Sequence, residues 1–413
     1  MIRVLLTLAL TLPPALLAAG QSGGAAQFLD AAPAGRGCGP ASMGAEFPGG
    51  NSWAGNGGSL RSGPLQVAAT RSYPPAREGD FVLHNYRFVS GETLPTLRLH
   101  YATLGQPRRD SSGRVVNAVL VLHGTGGSNR NFLNAHFAGV LFGNGKLLDA
   151  SRYYVILPDD VGHGRSSKPS DGLRTRFPHY TYTDMVRLEH ALVSQGLDIN
   201  HLRLVMGTSM GCMHSWMWGE MYPNFVDGLV PLACLPEPIA GRNRIMRDLI
   251  RDAIVNDPSY DGGNYHREPP GLLIARQFEW IMVSAPRYWR RLAPTGAAAD
   301  AMLARFDQRV DASMANGELD ANDLLYAFAA SRDYNPAPRL GTIRARVLAI
   351  NSADDFVNPP GLDIMPRDIA RVPHGKFVLL PITDQTRGHG THSLPAIWQG
   401  YLARFLGTLP PSA

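Results

Sequence analysis

A serine held between two glycines is the first residue of this chain whose setting suggests chemistry. The stretch VMGTSMGCMHSW, from Val205 to Trp216, places Ser209 in a G-x-S-x-G pattern, after an apolar run and before a helix-like sequence. With Gly at 44 of 413 positions the pattern arises by chance about 0.3 times per chain of this composition, so its context must carry the argument. A serine hydroxyl is almost wholly protonated at neutral pH and needs a base before it can attack a carbonyl carbon. Candidates for the base and for the acid that orients it lie further along. SADDFVNPP offers Asp354 and Asp355, and TDQTRGHGTHS offers His389 and His392. Such chemistry also needs N–H groups aimed where negative charge develops on the carbonyl oxygen. In VLVLHGTGGSNRNFL an H-G pair ends an apolar run, and the small residues after it let Thr125 present its N–H; Met210, next after the serine, supplies a second. The competing reading of HGTGGSN as a phosphate loop lacks a Lys-Ser/Thr ending and a G-x-G-x-x-G spacing. His389 and His392 lack a third metal ligand nearby. Neither a metal nor an organic cofactor is expected.

These residues need elements to position them. NAVLVLHG, YYVILPDD, LRLVMG, DGLVPLACL, ARVLAIN and GKFVLLPI are apolar runs without polar alternation, as in strands covered on both faces, and helical patterns separate them. This alternation predicts an α/β fold with a parallel sheet. FVLHNYRFV and LRLHYATLG alternate as an antiparallel edge pair would, which makes eight strands in a mostly parallel sheet. Ser209 then falls where the strand beginning at Leu202 meets a helix, a strand–sharp turn–helix arrangement in which Cβ atoms at 207 and 211 would collide with neighbouring chain. TDMVRLEHALVSQG places Met185, Leu188 and Leu192 on one helical face. From Pro236 to about Pro338 the alternation stops and helical stretches rich in Arg, Met and Ala replace it, which reads as a helical lid inserted into the sheet. The expected organisation is a 76–235 core part, a 236–340 lid and a 341–413 core part.

The 413 residues carry a net charge of +5, and Arg is scattered without long blocks, unlike the clustered basic face of a nucleic-acid binder. No nucleic-acid partner is expected. MIRVLLTLALTLPPALLAAGQ has Arg3, an apolar stretch and Ala18-Ala19-Gly20, which reads as a secretory signal over 1–20. Pro13 and Pro14 interrupt a stretch already shorter than a membrane span, so stable membrane insertion is not expected. Residues 21–75, dominated by Gly, Ala, Ser and Pro, read as a flexible linker. The expected location is therefore periplasmic or secreted. Cys38, Cys212 and Cys234 cannot all pair within one chain. Proximity of Cys212 and Cys234 is conceivable, but buried free thiols are the expected state.

With these residues in place the chain resembles the homoserine O-acetyltransferase branch of the α/β-hydrolase superfamily over roughly Glu78 to Leu406. FPHYTYTDMVRLEHALV, MGTSMGCMHSWMWGEMYPNFVDGLV and RIMRDLIRDAIVNDPSYDGGNYHREPPGLLIAR carry the resemblance, with the acid and histidine loops. It implies Ser209, Asp355 and His389 as nucleophile, acid and base, with Asp354 and His392 as fallbacks. The resemblance also implies an α/β-hydrolase fold whose helical lid roofs a tunnel to the serine, a homodimer through lid helices, and Arg247 as a contact for a substrate carboxylate. There are departures. Gly390 follows His389 where the acyltransferases carry Asp, the serine motif reads GTSMGC in place of GGSMGG, and acetyl-CoA is cytosolic whereas this chain reads as exported. The expectation is an exported serine hydrolase acting on a carboxylic ester or related small-molecule acyl substrate. An acyltransferase is the first alternative, and a non-catalytic binding protein on the same fold the second.

Overall fold

The computed structural model describes residues 72–410. The expected signal at 1–20, nearly all of the 21–75 linker and Cys38 lie outside the described residues. The strands are β1 (Arg77–Arg87), β2 (Thr93–Leu104), β3 (Ala118–Leu122), β4 (Tyr154–Pro158), β5 (Leu202–Thr208), β6 (Val226–Leu232), β7 (Arg346–Ser352) and β8 (Gly375–Leu380). They form one eight-stranded sheet in the order β1-β2-β4-β3-β5-β6-β7-β8. β1 and β2 pair antiparallel at one edge, β2 meets β4 antiparallel, and every pairing from β4 to β8 is parallel.

The apolar runs became central strands because both of their faces are covered. In β3, Val119 and Val121 enter one core layer while Leu120 and Leu122 enter the other, as the two-residue period of a strand requires. Helices cover both faces. They are α1 (Ala138–Leu141), α2 (Tyr182–Ala191), α3 (Met210–Met221), α4 (Gly241–Val255), α5 (Pro270–Val283), α6 (Pro286–Leu292), α7 (Gly296–Ala315), α8 (Ala321–Ala329), α9 (Ile364–Ile369) and α10 (Pro395–Leu406). α2 turns Met185 and Leu188 into the core, and Leu192 follows them just past its end. α4 to α8 fill the chain between β6 and β7, where the alternation stops, and carry an apolar cluster of their own around Ile250, Leu272 and Leu324.

The expectation for the cysteines needs correction. Cys212 and Cys234 form a disulfide with their Cα atoms 5.9 Å apart. The reason lies in the register: β5 and β6 run parallel with Thr208 opposite Leu232, so the residues four and two positions further on emerge side by side.

Candidate active site

β5 delivers Ser209 to the carboxyl edge of the sheet, where α3 begins. Its backbone sits at φ 54° and ψ −107°, a strained conformation for a residue with a side chain. The strain is held from several sides. The Ser209 N–H donates to the Leu232 carbonyl at 2.9 Å, and the Gly211 N–H donates to the His123 carbonyl at 2.9 Å. A Cβ at Gly207 would overlap the Gly211 carbonyl, and one at Gly211 would overlap the Leu122 carbonyl, so the tight turn excludes any larger residue at either place.

The loop after β8 brings His389 over the serine, with Nε2 2.8 Å from Ser209 Oγ. On the other side of the ring, Nδ1 lies 2.9 Å from Asp355 Oδ2. Asp355 is 2% exposed and is held by the turn after β7: the N–H groups of Val357 and Asn358 donate to Oδ1 at 2.7 and 3.1 Å. The Asn358 amide donates to Oδ2 at 3.2 Å and to the Ala233 carbonyl at 3.0 Å. Burial alone would raise the Asp355 pKa. His389 and these donors outweigh it and hold the carboxyl below its ordinary value.

The fallback residues stand elsewhere. Asp354 accepts from Ser352 at 2.5 Å and from Thr386 at 2.8 Å, which ties the acid loop to the histidine loop. His392 is buried and pairs through Nδ1 with the Ser393 hydroxyl at 2.8 Å.

The loop after β3 closes the other side of the serine. Gly124 packs so near that a Cβ there would lie 3.3 Å from Ser209 Cβ, and a bond from the Gly127 N–H to the Gly124 carbonyl at 2.9 Å folds Thr125 into a turn. Met210 occupies the first position of α3, where a helix leaves N–H groups without intrahelical acceptors. Arg247, on α4, points inward and is 6% exposed. Its Nε donates to Asn243 at 3.1 Å and its Nη1 to Ser331 at 3.3 Å, and its charge acts on the buried Tyr182 hydroxyl. That hydroxyl faces both Arg247 and the Thr125 side chain. Both Tyr182 Oη and Thr125 Oγ1 are closed to solvent, and among the described residues neither has a hydrogen-bond partner of good geometry.

Two contributors escaped the sequence reading. Asn358 had a signal, since it lies three residues after Asp355 in the same quoted loop. Tyr182 carried no signal, since its hydroxyl meets Arg247 and the Thr125 side chain only through the approach of α4 and the loop after β3.

A nucleophile, a base and a buried acid in one hydrogen-bonded chain can form and break an acyl–serine bond. A sequence model of the alpha/beta hydrolase fold family matches residues 117–389, and the chain belongs to this family. Within it the chain falls in the homoserine O-acetyltransferase-like branch. It is 31% identical over 321 residues to a homoserine O-succinyltransferase of Magnetococcus marinus, covering 68% of this chain and 76% of that protein. It is 31% identical over 299 residues to a homoserine O-acetyltransferase of Haloarcula marismortui, covering 62% of this chain and 71% of that protein. The structure of homoserine O-acetyltransferase from Bacillus anthracis superposes with a TM-score of 0.68 at 20% identity, over 82% of this chain and 99% of that one. Esterase E22 superposes at 0.66 and 19% identity, over 80% and 99%. The two structural likenesses speak to the fold alone. The sequence relatives shift the balance from the expected hydrolase toward acyl transfer.

Proposed function

We propose that this chain transfers acyl groups through a covalent acyl-enzyme on Ser209. The observation that carries the proposal is the hydrogen-bonded chain Ser209–His389–Asp355. Ser209 Oγ attacks the acyl carbonyl carbon as its proton passes to His389 Nε2. Asp355 holds the other ring nitrogen as a donor and stabilises the imidazolium. The N–H groups of Thr125 and Met210 stabilise the oxyanion, and His389 returns the proton to the leaving group. An acceptor then repeats the sequence in reverse, with His389 taking its proton.

The curated relatives support an alcohol as that acceptor. The buried guanidinium of Arg247 supports an acceptor or acyl chain that carries a carboxylate. A second reading, with water as acceptor, rests on Gly390, because the carboxylate that the acyltransferases place there to hold an ammonium is missing. We also propose export. The disulfide between Cys212 and Cys234 supports it, since such bonds persist in oxidising compartments, and so does the pattern around Arg3. A homodimer through α4 and α5 is proposed too, supported by the exposed apolar side chains Ile245, Leu249, Ile274 and Ile281.

The test is to incubate the purified protein with an activated ester and a panel of hydroxyl acceptors and follow both products. A Ser209-linked acyl group seen by intact mass, and ester formed on the acceptor faster than free acid, is the expected result. Free acid alone would establish the second reading, and no covalent adduct would exclude both.

A further inference from the structure

Directly behind the nucleophile and the loop after β3 lies a second polar cluster, wholly closed to solvent. It joins Asp160 from the turn after β4, Glu189 from α2 and His214 from α3, each no more than 2% exposed. One polar atom of each lies within 4.8 Å of the others. Glu189 Oε1 is 2.6 Å from His214 Nδ1, and the Trp218 indole N–H donates to Glu189 Oε2 at 2.5 Å. Asp160 is placed differently. His123 Nε2 lies 3.6 Å from Asp160 Oδ2, but that nitrogen already accepts the Asp160 backbone N–H at 3.1 Å. Its ring therefore donates from the other nitrogen, to the Gly124 carbonyl at 2.9 Å. Among the described residues no donor reaches Asp160 Oδ2. What faces it is the Glu189 carboxyl group, with His214 Nδ1, already bonded to Glu189, 3.7 Å away.

Two ionised carboxylates cannot share a closed site of low dielectric without a counter-charge. A divalent metal would supply one, but metal–ligand bonds of about 2.0–2.2 Å in tetrahedral geometry keep donor atoms roughly 3.3 Å apart. The 2.6 Å between Glu189 and His214 is a hydrogen bond. A proton solves the same problem. With Asp160 protonated, its O–H donates to Glu189, which keeps the single charge and also accepts from His214 and Trp218.

We propose that Asp160 and Glu189 share one proton and that Asp160 is thereby a positioning residue for the acyl-transfer site. The connection runs through His123. Its side chain bridges the Asp160 N–H and the Gly124 carbonyl, while its own carbonyl accepts the Gly211 N–H. The cluster therefore fixes both segments that present the N–H groups of Thr125 and Met210. Loss of the shared proton would put a second charge into the closed site and push Asp160 away from Glu189, loosening His123 and the loop it holds. Burial first, and then the facing Glu189 charge, raises the Asp160 carboxyl to about 8, and burial likewise raises Glu189 to about 8. The other titratable groups around the cluster are His123 just after β3, His214 on α3, Tyr180 ahead of α2, Tyr182 on α2, whose ring centroid lies 4.7 Å from that of His214, and Asp333 beyond α8, which acts on His214. His163 lies one ring further, 5.1 Å from His123.

The proton can be observed without any assay of function. Glu268, raised to about 8, and Glu220, raised to about 7, contribute carboxylic-acid C=O stretches of their own, so the readout is the infrared difference between wild type and Asp160→Asn at neutral pH, which is expected to show the loss of one protonated, buried carboxylic acid. Absence of that difference band, or a stoichiometric metal lost with that variant, would each overturn the shared proton. The positioning role rests on the function proposed above and has its own readout. Wild-type kcat should fall above about pH 8, whereas Asp160→Asn, which keeps a donor but cannot titrate, should hold its neutral-pH kcat within about threefold and lose that fall. Asp160→Ala should lower kcat roughly tenfold or more with little change in KM. An alkaline fall identical in wild type and Asp160→Asn would overturn the positioning role. A protein inactive on every substrate but still showing the infrared difference band would refute the proposed function and leave the shared proton standing.

Discussion

His389 and His392 meet edge to face with their ring centroids 5.1 Å apart, and of the two it is His389 that reaches Ser209. Two residues of sequence, Gly390 and Thr391, separate a ring joined to a nucleophile and an acid from a ring that is joined to neither. Burial first, and then His389, pushes the His392 imidazole down to about 3, so it stays neutral at any pH at which the protein would work. His389→Ala should lower kcat by roughly four orders of magnitude, because members of such a chain act as a unit. His392→Ala should keep activity within about fivefold. Steady-state kinetics of the two variants, with folding checked by circular dichroism, separates these outcomes, and the reverse pattern would move the base to His392.

Asp355 invites a test of both chemistry and stability. Asp355→Asn leaves the shape intact but offers His389 the wrong hydrogen-bond partner, and kcat should fall by about 10⁴. The folded pKa of Asp355 lies below the ordinary value of 3.8, so its contribution to stability is fully present above that value. It is lost as pH falls through the lower, folded value. Urea unfolding should therefore find Asp355→Asn less stable than wild type at pH 7, with the gap closing once the pH drops below the ordinary carboxylate range. A gap that stays constant with pH would mean that the Asp355 charge contributes nothing to stability.

How far the sequence could lead depended on whether a residue's partners lie nearby in the chain. β3 to β8 and Ser209 were readable because continuous apolar runs and a G-x-S-x-G turn are local signals. The choice of Asp355 over Asp354 needed more. Only in three dimensions does Asp354 turn toward Thr386 while Asp355 turns toward His389. Residue types give no hint that Arg247 would be buried, because that depends on how α4 lies across Tyr182 and Ser331. The disulfide was misread for a related reason: Cys212 and Cys234 meet through a strand register that composition cannot supply.

That disulfide closes a loop across a sequence separation of 22 and should stabilise the fold measurably. On the chain-entropy account a bridge of this span contributes about 3 kcal/mol. Removing both sulfurs with Cys212→Ala and Cys234→Ala should lower the urea midpoint, and adding a reductant should then have no further effect. If the double variant and the oxidised wild type unfold at the same midpoint, the bridge is absent from the native protein.

The exposed side chains of α4 and α5 make the assembly testable. Ile245 and Leu249 are 61% and 49% exposed and lie one helical turn apart, and Ile274 and Ile281 are 57% and 52% exposed two turns apart on α5. If a second copy covers them, Ile245→Asp combined with Ile281→Asp should convert a dimer to a monomer in sedimentation equilibrium while leaving the fold unchanged. A wild-type chain that sediments as a monomer would remove the proposal.

Gly390 offers the sharpest separation of water from alcohol as acceptor. It follows His389 directly, and a Cβ added there would come no nearer than 3.9 Å to Arg387 Cβ and the Val283 carbonyl, an ordinary contact, so a side chain fits. A carboxylate at this position would lie beside the histidine in a site where Arg247 already offers a buried positive charge, and together they would suit an acceptor bearing both an ammonium and a carboxylate. Gly390→Asp should therefore raise the share of acyl groups delivered to an amino-acid alcohol such as homoserine over water by about tenfold, chiefly through a lower acceptor KM. Hydrolysis of a simple activated ester should change by less than about threefold, since Ser209, His389 and Asp355 are untouched. A variant that gains nothing with the amino-acid alcohol, yet keeps full esterase activity, would show that this acceptor is not bound beside residue 390.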